Sequence, residues 1–248
     1  MKTISGILKM PTMDESYTYP GQELDLFEYA LKWKKYFSDF IQQHIGGHVL
    51  ECGAGIGATS KILNNSLVKE WTLLEPDKKM VALLKNKINN QELPVFCKVE
   101  EGDISVFENK PQFDTILYID VLEHLKNDRE ELVKAAALLN QKGKLIILSP
   151  AFPALYSNFD KAIGHYKRYT KKELLSIMPE SMNKISLRYL DSSGFFLSFA
   201  NKTLLKQKYP TRNQINFWDS YIVPISKISD RIVNYSFGKS ILGIWEKK

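Results

Sequence analysis

Val49-Leu50-Glu51-Cys52-Gly53-Ala54-Gly55-Ile56-Gly57-Ala58 reads as a buried strand running into a glycine-rich turn, then into a helix that starts near Ala58-Thr59. Gly53 and Gly55 permit positive φ and a close approach of backbone to a ligand. Gly57 lets the new helix pack tightly against the strand. Turn and helix N-terminus together form a cradle at the carboxyl edge of a sheet. Gly53-x-Gly55-x-x-Ala58 also satisfies the dinucleotide fingerprint, in which a pyrophosphate rests on the helix N-terminus. Glu51 argues against that ligand. A carboxylate at a strand tip repels phosphates in a cleft of low dielectric and suits a cation.

Outward from this stretch the chain alternates. Strands are expected over residues 49–51, 71–74, 95–99, 113–119 and 145–148, with helices over 59–64, 77–89 and 128–139 between them. Asp77 is placed to cap the second of these helices. Near-continuous apolar strands separated by helices indicate a parallel sheet covered on both faces. Acids recur at its successive strand tips: Glu51, Glu75 beside Pro76, Asp103 beside Ile104, and Asp120 beside Val121. Glu75 can accept both hydroxyls of a ribose. Asp103 can reach an adenine amino group, with Ile104 against the ring face.

Before the first strand, residues 22–43 carry apolar side chains at helical spacing, including Leu24, Phe27, Leu31 and Phe37, and predict an amphipathic helix or helix pair closed by Gly46-Gly47. Tyr17, Thr18 and Tyr19 read as surface packing, with a lid over a ligand as the alternative. After Pro150 the rhythm changes. Residues 151–170 make a polar and aromatic loop longer than a connection needs, which favours function. Thr170-Lys171-Lys172-Glu173 opens a helix in capping-box form. A sixth strand is expected over 185–190 and a last one over 241–245, flanking an aromatic helical piece, 194–237, broken by Pro210 and Pro224.

Hydrophobic residues make up 44% of the 248 and charged residues 25%, the mix of an ordinary globule large enough for one α/β domain. The net charge of +6 permits an anionic substrate, a membrane surface or nucleic acid without selecting one. The two cysteines, Cys52 and Cys97, fall inside expected strands and read as small buried hydrophobes in a reducing compartment. Ile4-Ser5-Gly6-Ile7-Leu8 is too short and broken for a signal-peptide core, and no apolar run approaches a bilayer span, so a cytoplasmic chain is expected. No Cys/His cluster has metal-ligand spacing, so no metal is expected.

Glu51-Cys52-Gly53-Ala54-Gly55-Ile56-Gly57, Leu74-Glu75-Pro76-Asp77, Gly102-Asp103-Ile104 and Asp120-Val121-Leu122-Glu123-His124 together resemble the class I S-adenosylmethionine-dependent methyltransferases. The likeness is strong over about residues 45–150 and weak elsewhere. It implies a Rossmann-like, seven-stranded, mostly parallel α/β sheet of order 3-2-1-4-5-7-6 with its last strand antiparallel, helices on both faces and a helical cap. It further implies that S-adenosylmethionine, leaving as S-adenosylhomocysteine, is held by Glu51, Gly53, Ala54, Gly55, Gly57, Glu75, Pro76, Asp103, Ile104, Asp120 and Val121. A single domain is expected: residues 1–46 as a helical N-terminal lid or extension, 47–150 as the cofactor core, and 151–248 as the acceptor side with the insertion at about 194–237. The rivals are an NAD(P)-dependent oxidoreductase and a protein that binds the cofactor without catalysis.

The acceptor side offers His165 as a general base, since its ordinary pKa suits proton abstraction near neutrality, with a structural role bonded to Asp160 as the alternative. His124 is a second candidate whose position fits wall packing better. Arg168, Lys167 and Tyr169 could bind a phosphate or carboxylate of the acceptor, or Arg168 could pair with Asp160. The run Asp160…Gly164-His165-Tyr166-Lys167-Arg168-Tyr169 is similar to a loop in a bacterial subset that accompanies glycan, lipid-linked sugar or natural-product assembly. The expected partner is therefore a small-molecule acceptor, methylated on oxygen or nitrogen. Nucleic acid is not expected, because the Asn-Pro-Pro-Tyr type of motif is absent where Tyr118-Ile119-Asp120-Val121 stands. Phe195, Phe196, Leu197, Phe199, Leu204 and Leu205 read as a lid or core packing, ahead of membrane contact beside Lys202, Lys206 and Lys208, or of a dimer face. Trp218, Tyr221 and Ile222 are expected to pack the same cap.

Overall fold

A computed structural model describes residues 18–21, 24–63, 65–205 and 207–248, with the side chain of Leu205 excluded. Seven strands, β1 (Gly47–Cys52), β2 (Val68–Glu75), β3 (Cys97–Glu101), β4 (Phe113–Ile119), β5 (Leu139–Pro150), β6 (Met182–Leu190) and β7 (Ser240–Lys247), form one sheet. Its order is β3-β2-β1-β4-β5-β7-β6, and β7 runs antiparallel to both of its neighbours. The order and the antiparallel β7 agree with the expectation. Every expected strand exists. β5 is longer than its apolar run suggests, because Asn140 to Lys144 extend it at the solvent-facing end, opposite Glu246.

Strand alternation divides the buried side chains between two faces. Val49, Trp71, Leu73, Leu117 and Ile146 meet the helices on one face, and Leu50, Leu74, Ile116, Tyr118 and Leu145 pack on the other. The first face is covered by α1 (Leu24–Phe27), α2 (Leu31–Ile41), α3 (Ala58–Leu63) and α4 (Lys78–Asn89), and the second by α5 (Asp128–Leu138). Residues 24–41 are thus the helix pair that the spacing allowed. Asp77 caps α4 as read, accepting from Lys79 N at 2.8 Å and Met80 N at 3.3 Å. Cys52 and Cys97 are free and buried.

The long loop after β5 carries α6 (Asn158–Ala162), and α7 (Lys171–Ile177) follows with the capping box of Thr170 and Glu173. Between β6 and β7 lie α8 (Ser192–Ala200), α9 (Arg212–Phe217) and α10 (Val223–Ile232). Pro224 does not break this piece. Residues 212–232 run as one helix that widens to a π-turn over Trp218–Ile222. Proline offers no N–H to the carbonyl four residues back, and Lys32 Nζ takes up that carbonyl, of Ser220, at 3.0 Å.

Asp191 fixes the cap to the sheet. Fully buried, it accepts from Gly194 N at 2.9 Å, Ser226 Oγ at 2.5 Å and Trp218 Nε1 at 2.7 Å. Asp230 accepts from the backbone of Asp191 and Ser192 and from Tyr36 Oη, each at 2.7–2.8 Å, which ties α10 and α2 to the end of β6. Within the cap Trp218 is buried as expected, whereas Tyr221 stands 64% exposed. Phe196, Phe199 and Leu204 are exposed too. Tyr17 and Lys206 lie outside the described residues. No described helix is long and apolar enough to cross a membrane.

Candidate functional site

One cavity of about 910 Å³ opens over the carboxyl edge of the sheet. Its floor is the set of loops after β1 to β5. Its roof comes from two places: the N-terminal segment through Tyr19, Phe27, Trp33 and Lys34, and the cap through Leu197, Phe217 and Trp218. Three non-glycine residues take positive φ where strands reach this edge: Asp120 after β4 (54°), Phe152 after β5 (60°) and Asp191 after β6 (63°). Such backbone costs on the order of 1–3 kcal/mol each and collects at functional edges.

At the β1 and β2 tips the glycines have separable tasks. Gly53 has φ 65°, and a Cβ there would meet Val121 Cγ2 at 2.7 Å, so neither conformation nor space admits a side chain. Gly55 donates its N–H to Glu75 Oε2 at 2.8 Å. Gly57 is a packing residue rather than a wall of the cavity, because a Cβ would meet Leu84 and Leu93 at 2.9 Å. The second Glu75 oxygen accepts from Asp77 N at 2.9 Å. Burial raises the Glu75 pKa despite those two donors. Ala54, Pro76, Asp103, Ile104, Asp120 and Val121 line the same space. Asp103 also accepts from Ser105 N at 2.8 Å, capping the turn that presents Ile104.

Glu51 departs from its expected role. Its carboxyl is 2% exposed and lies on the sheet face shared with Trp71, whose Nε1 donates to it at 2.9 Å, instead of facing the cavity. Strand alternation is the reason: Cys52, next in sequence, turns to the other face, and the tip itself is left to Gly53. Burial pushes the Glu51 pKa up to about 8, against the donors Trp71 and Thr59. At neutral pH it is a mostly neutral acid that braces the turn.

On the acceptor side the loop after β5 folds around Asp160, which is fully buried. One oxygen of Asp160 receives Ser157 N at 2.8 Å and Arg168 Nη2 at 3.0 Å, and the other Arg168 Nε at 2.8 Å and His165 Nδ1 at 2.9 Å. Burial would raise this carboxyl, but the His165 hydrogen bond and the Arg168 charge hold it well below the usual range. Arg168 is therefore committed to Asp160 and is not free to grip an acceptor anion. Tyr169 is also committed, donating to Asp128 Oδ2 at 2.7 Å and the Leu122 carbonyl at 3.1 Å. Arg168 thus supports His165 through their shared partner Asp160, and Tyr169 ties the loop after β5 to the segment after β4. Lys167 likewise pairs with Asp128 at 2.8 Å.

His165 lines the cavity with one nitrogen tied to Asp160 and the other, Nε2, 3.6 Å from Glu123 Oε1. Burial lowers its pKa, and Asp160 and Glu123 more than reverse that, leaving it raised. Glu123 is fully buried, accepts no hydrogen bond at either oxygen, and is pushed up to about 8 by burial. His124 packs edge-on against His165 and Tyr19, at 4.6 and 5.5 Å between ring centroids, with its pKa pushed down to about 3 by burial and the His165 charge. Sequence spacing gave no sign of this grouping, since Glu123 and His165 come from different loops. Lys34 was missed as well. It sits in α2, its Nζ bonds the carbonyls of Phe27 and Glu28 at 2.8 and 2.7 Å, and burial pulls it down to about 8. A lysine on an apolar helix face signals only a snorkelling side chain until the roof is built over it.

Residues 50–145 match the methyltransferase domain family. An uncharacterized methyltransferase of Bacillus thuringiensis (strain Al Hakam) is 26% identical over 186 residues, which span 72% of this chain and 83% of that protein. Among solved structures, a coclaurine N-methyltransferase bound to N-methylheliamine and SAH aligns with a TM-score of 0.59 at 16% identity, over 88% of this chain and 70% of that one. An S-adenosylmethionine-dependent methyltransferase from Clostridium acetobutylicum aligns with a TM-score of 0.56 at 12% identity, over 88% and 92%. These structures agree in fold. The antiparallel β7 inserted between β5 and β6 also separates this sheet from the 3-2-1-4-5-6 order of dinucleotide-binding dehydrogenases. Taken with the domain match over residues 50–145, the sheet order and the glycine loop give the chain the fold of the class I S-adenosylmethionine-dependent methyltransferases, and its methyltransferase relatives support an enzyme.

Proposed function

We propose that the enzyme transfers the methyl group of S-adenosylmethionine to an oxygen or nitrogen atom of a small-molecule acceptor. The observation that carries this reading is that Gly53, Gly55, Glu75 and Asp103 line the same cavity as Glu123 and His165. Its 910 Å³ lies near the top of the range of about 300–1,000 Å³ for one-ligand pockets, which leaves room for cofactor and acceptor together. The adenosine would lie along Glu75, Pro76, Asp103 and Ile104, the methionine portion along Gly53 to Gly55, and the methyl would emerge beside Asp120 and Val121. Displacement at the sulfonium methyl is in-line, so holding the acceptor atom in position can supply roughly 7–11 kcal/mol of the barrier. His165 is the acceptor-side group, Arg168 acts through it by way of Asp160, and Tyr169 holds the loop in place through Asp128.

The domain reading follows the same division. Residues 47–150 hold the cofactor, 151–248 with the helical insertion close the acceptor side, and the stretch before Gly47 contributes a lid through Tyr19 and Phe27. The acceptor end is mainly apolar, with Leu155, Phe159, Ile163 and Leu197 set against Ser198 and Asn201. That lining suits a sugar or natural product carrying apolar substituents, or a lipid-linked precursor, better than a small bare anion. Calorimetric titration with S-adenosylmethionine, S-adenosylhomocysteine, NAD and NADP tests the cofactor. Micromolar binding of the two sulfur compounds alone, weakened by Glu75→Ala, is expected, and binding of NAD or NADP in their place would sink the proposal.

A further inference from the structure

Glu123 and His124 follow β4, His165 follows β5, and the three meet on one wall of the cavity with ligand atoms within 4.8 Å of one another. Glu123 is the anomaly among them. It is 0% exposed, its neighbour Ser149 Oγ makes no hydrogen bond of good geometry to it and is itself unsatisfied, and the His165 Nε2 at 3.6 Å is beyond hydrogen-bond reach. A buried carboxyl whose oxygens lack well-made hydrogen bonds is costly whether or not it is charged. A ligand of positive charge at this point would offset that cost.

The imidazoles show which ligand. His165 is held from behind by Asp160 at Nδ1, and Asp160 is itself clamped by Arg168 through two nitrogens. The His124 ring lies with Nδ1 against the backbone of Gly164, which raises its pKa against the effect of burial. Each ring thus has an outer partner, and the two stand nearly perpendicular, 79° apart with centroids 4.6 Å from each other. A carboxylate or carbonyl behind a histidine is the usual support of a metal ligand, fixing tautomer and ring orientation. We propose that Glu123, His124 and His165 form a two-histidine, one-carboxylate site for a divalent first-row transition ion, open to the acceptor end of the cavity. Two nitrogens and one carboxylate suit Mn²⁺, Fe²⁺, Co²⁺ or Zn²⁺. Magnesium and calcium demand more oxygens than the site offers. Donors about 2.1 Å from one ion stand roughly 3–3.5 Å apart, so the three groups need to close by only about an ångström.

The consequence for chemistry rests on the methyl-transfer reading, whereas the site itself does not. An acceptor hydroxyl bound to the ion would release its proton to solvent. Its oxygen would then form the bond to the methyl carbon as the carbon–sulfur bond breaks, with that electron pair passing to sulfur. This makes the acceptor an oxygen nucleophile.

The test uses the full chain, stripped with a chelator and titrated with Co²⁺ and Zn²⁺ without any cofactor. His44→Gln and His48→Gln are introduced first to remove the only two other imidazoles. Visible cobalt absorption and calorimetry should report one equivalent bound at micromolar Kd or tighter, with a raised Tm. Glu123→Gln and His165→Asn should each abolish the cobalt spectrum, and Asp160→Asn should weaken binding by ~10–100-fold by loosening its hold on His165 Nδ1. Circular dichroism checks that each variant is folded. If one is not, His124→Asn supplies the same comparison. No cobalt bound at millimolar concentration, or equal binding by the folded variants, overturns the site and leaves Glu123 and His165 as a pair sharing a proton. Metal binding without S-adenosylmethionine binding would count against the methyl-transfer reading alone.

Discussion

At the tips of β2 and β3 the acids are satisfied by backbone N–H groups close in space and mostly near in sequence: Glu75 by Gly55 and Asp77, Asp77 by Lys79 and Met80, Asp103 by Ser105. At the tips of β4 and β5 the acids are satisfied, or left unsatisfied, by side chains from other loops: Asp160 by Arg168 and His165, Asp128 by Lys167 and Tyr169, Glu123 by none. The two regions share one cavity and one sheet edge, yet they are built differently. The first is a backbone cradle whose shape is set by glycine and strand geometry. The second is a buried charge network whose members depend on one another. Substitution in the first should therefore change cofactor affinity and little else. In the second it should change stability and turnover together.

The sharpest contrast comes from Asp160→Ala. It strands the Arg168 guanidinium in a buried site, which typically costs about 3–5 kcal/mol, and it frees His165. Urea unfolding should show that loss, and methyl transfer should fall by more than ~100-fold while S-adenosylmethionine affinity stays within a few-fold. Unchanged stability would mean that the network is not a unit. Gly53→Ala attacks the other region. Its left-handed backbone alone costs roughly 1–2 kcal/mol, and the added Cβ meets Val121. Cofactor affinity measured by calorimetry should drop by at least ~10-fold, about 1.4 kcal/mol, with the Asp160 network intact. Glu75→Ala should weaken the cofactor by about 10-fold without altering the acceptor KM, and a shift in KM alone would blur the division between the regions.

Two smaller effects probe the supports. Glu51 has its folded pKa raised to about 8 from an ordinary 4.5. An acid raised in this direction contributes its stability fully below the unfolded value and loses it as pH rises through the folded one. Thermal melts should therefore show stability declining from about pH 5 to pH 8, and Glu51→Gln, which still accepts from Trp71, should flatten that decline. The least effect is expected from Lys32→Ala. Losing the exposed cap on the Ser220 carbonyl should lower stability by about 0.5–1 kcal/mol and leave cofactor binding untouched.

Much of the fold was legible in the sequence. Local rules set its signals: strand periodicity, the positive φ of Gly53 and Gly55, the Asp77 cap and the Thr170 capping box act over a few residues, so residue order alone carries them. The resemblance supplied the sheet order, which the structure matches. What local rules could not settle is where a side chain points and what it meets. Glu51 was read as facing a ligand, and strand alternation turned it to Trp71 instead. Pro224 was read as a break, and Lys32, from a distant helix, took up the carbonyl that it leaves. For Arg168 the sequence left an acceptor anion and Asp160 as alternatives, and the structure chose Asp160, while Tyr169, read with the acceptor, went to Asp128. His124 and Glu123 lie 41 residues or more before His165 along the chain, yet share one wall of the cavity. The sequence by itself determined the glycine cradle, because a backbone cradle needs only glycines and caps at fixed spacing. Only the tertiary structure decided the buried charge network, because buried charges choose partners by proximity in space, and that proximity exists only once the sheet has brought β4 and β5 side by side.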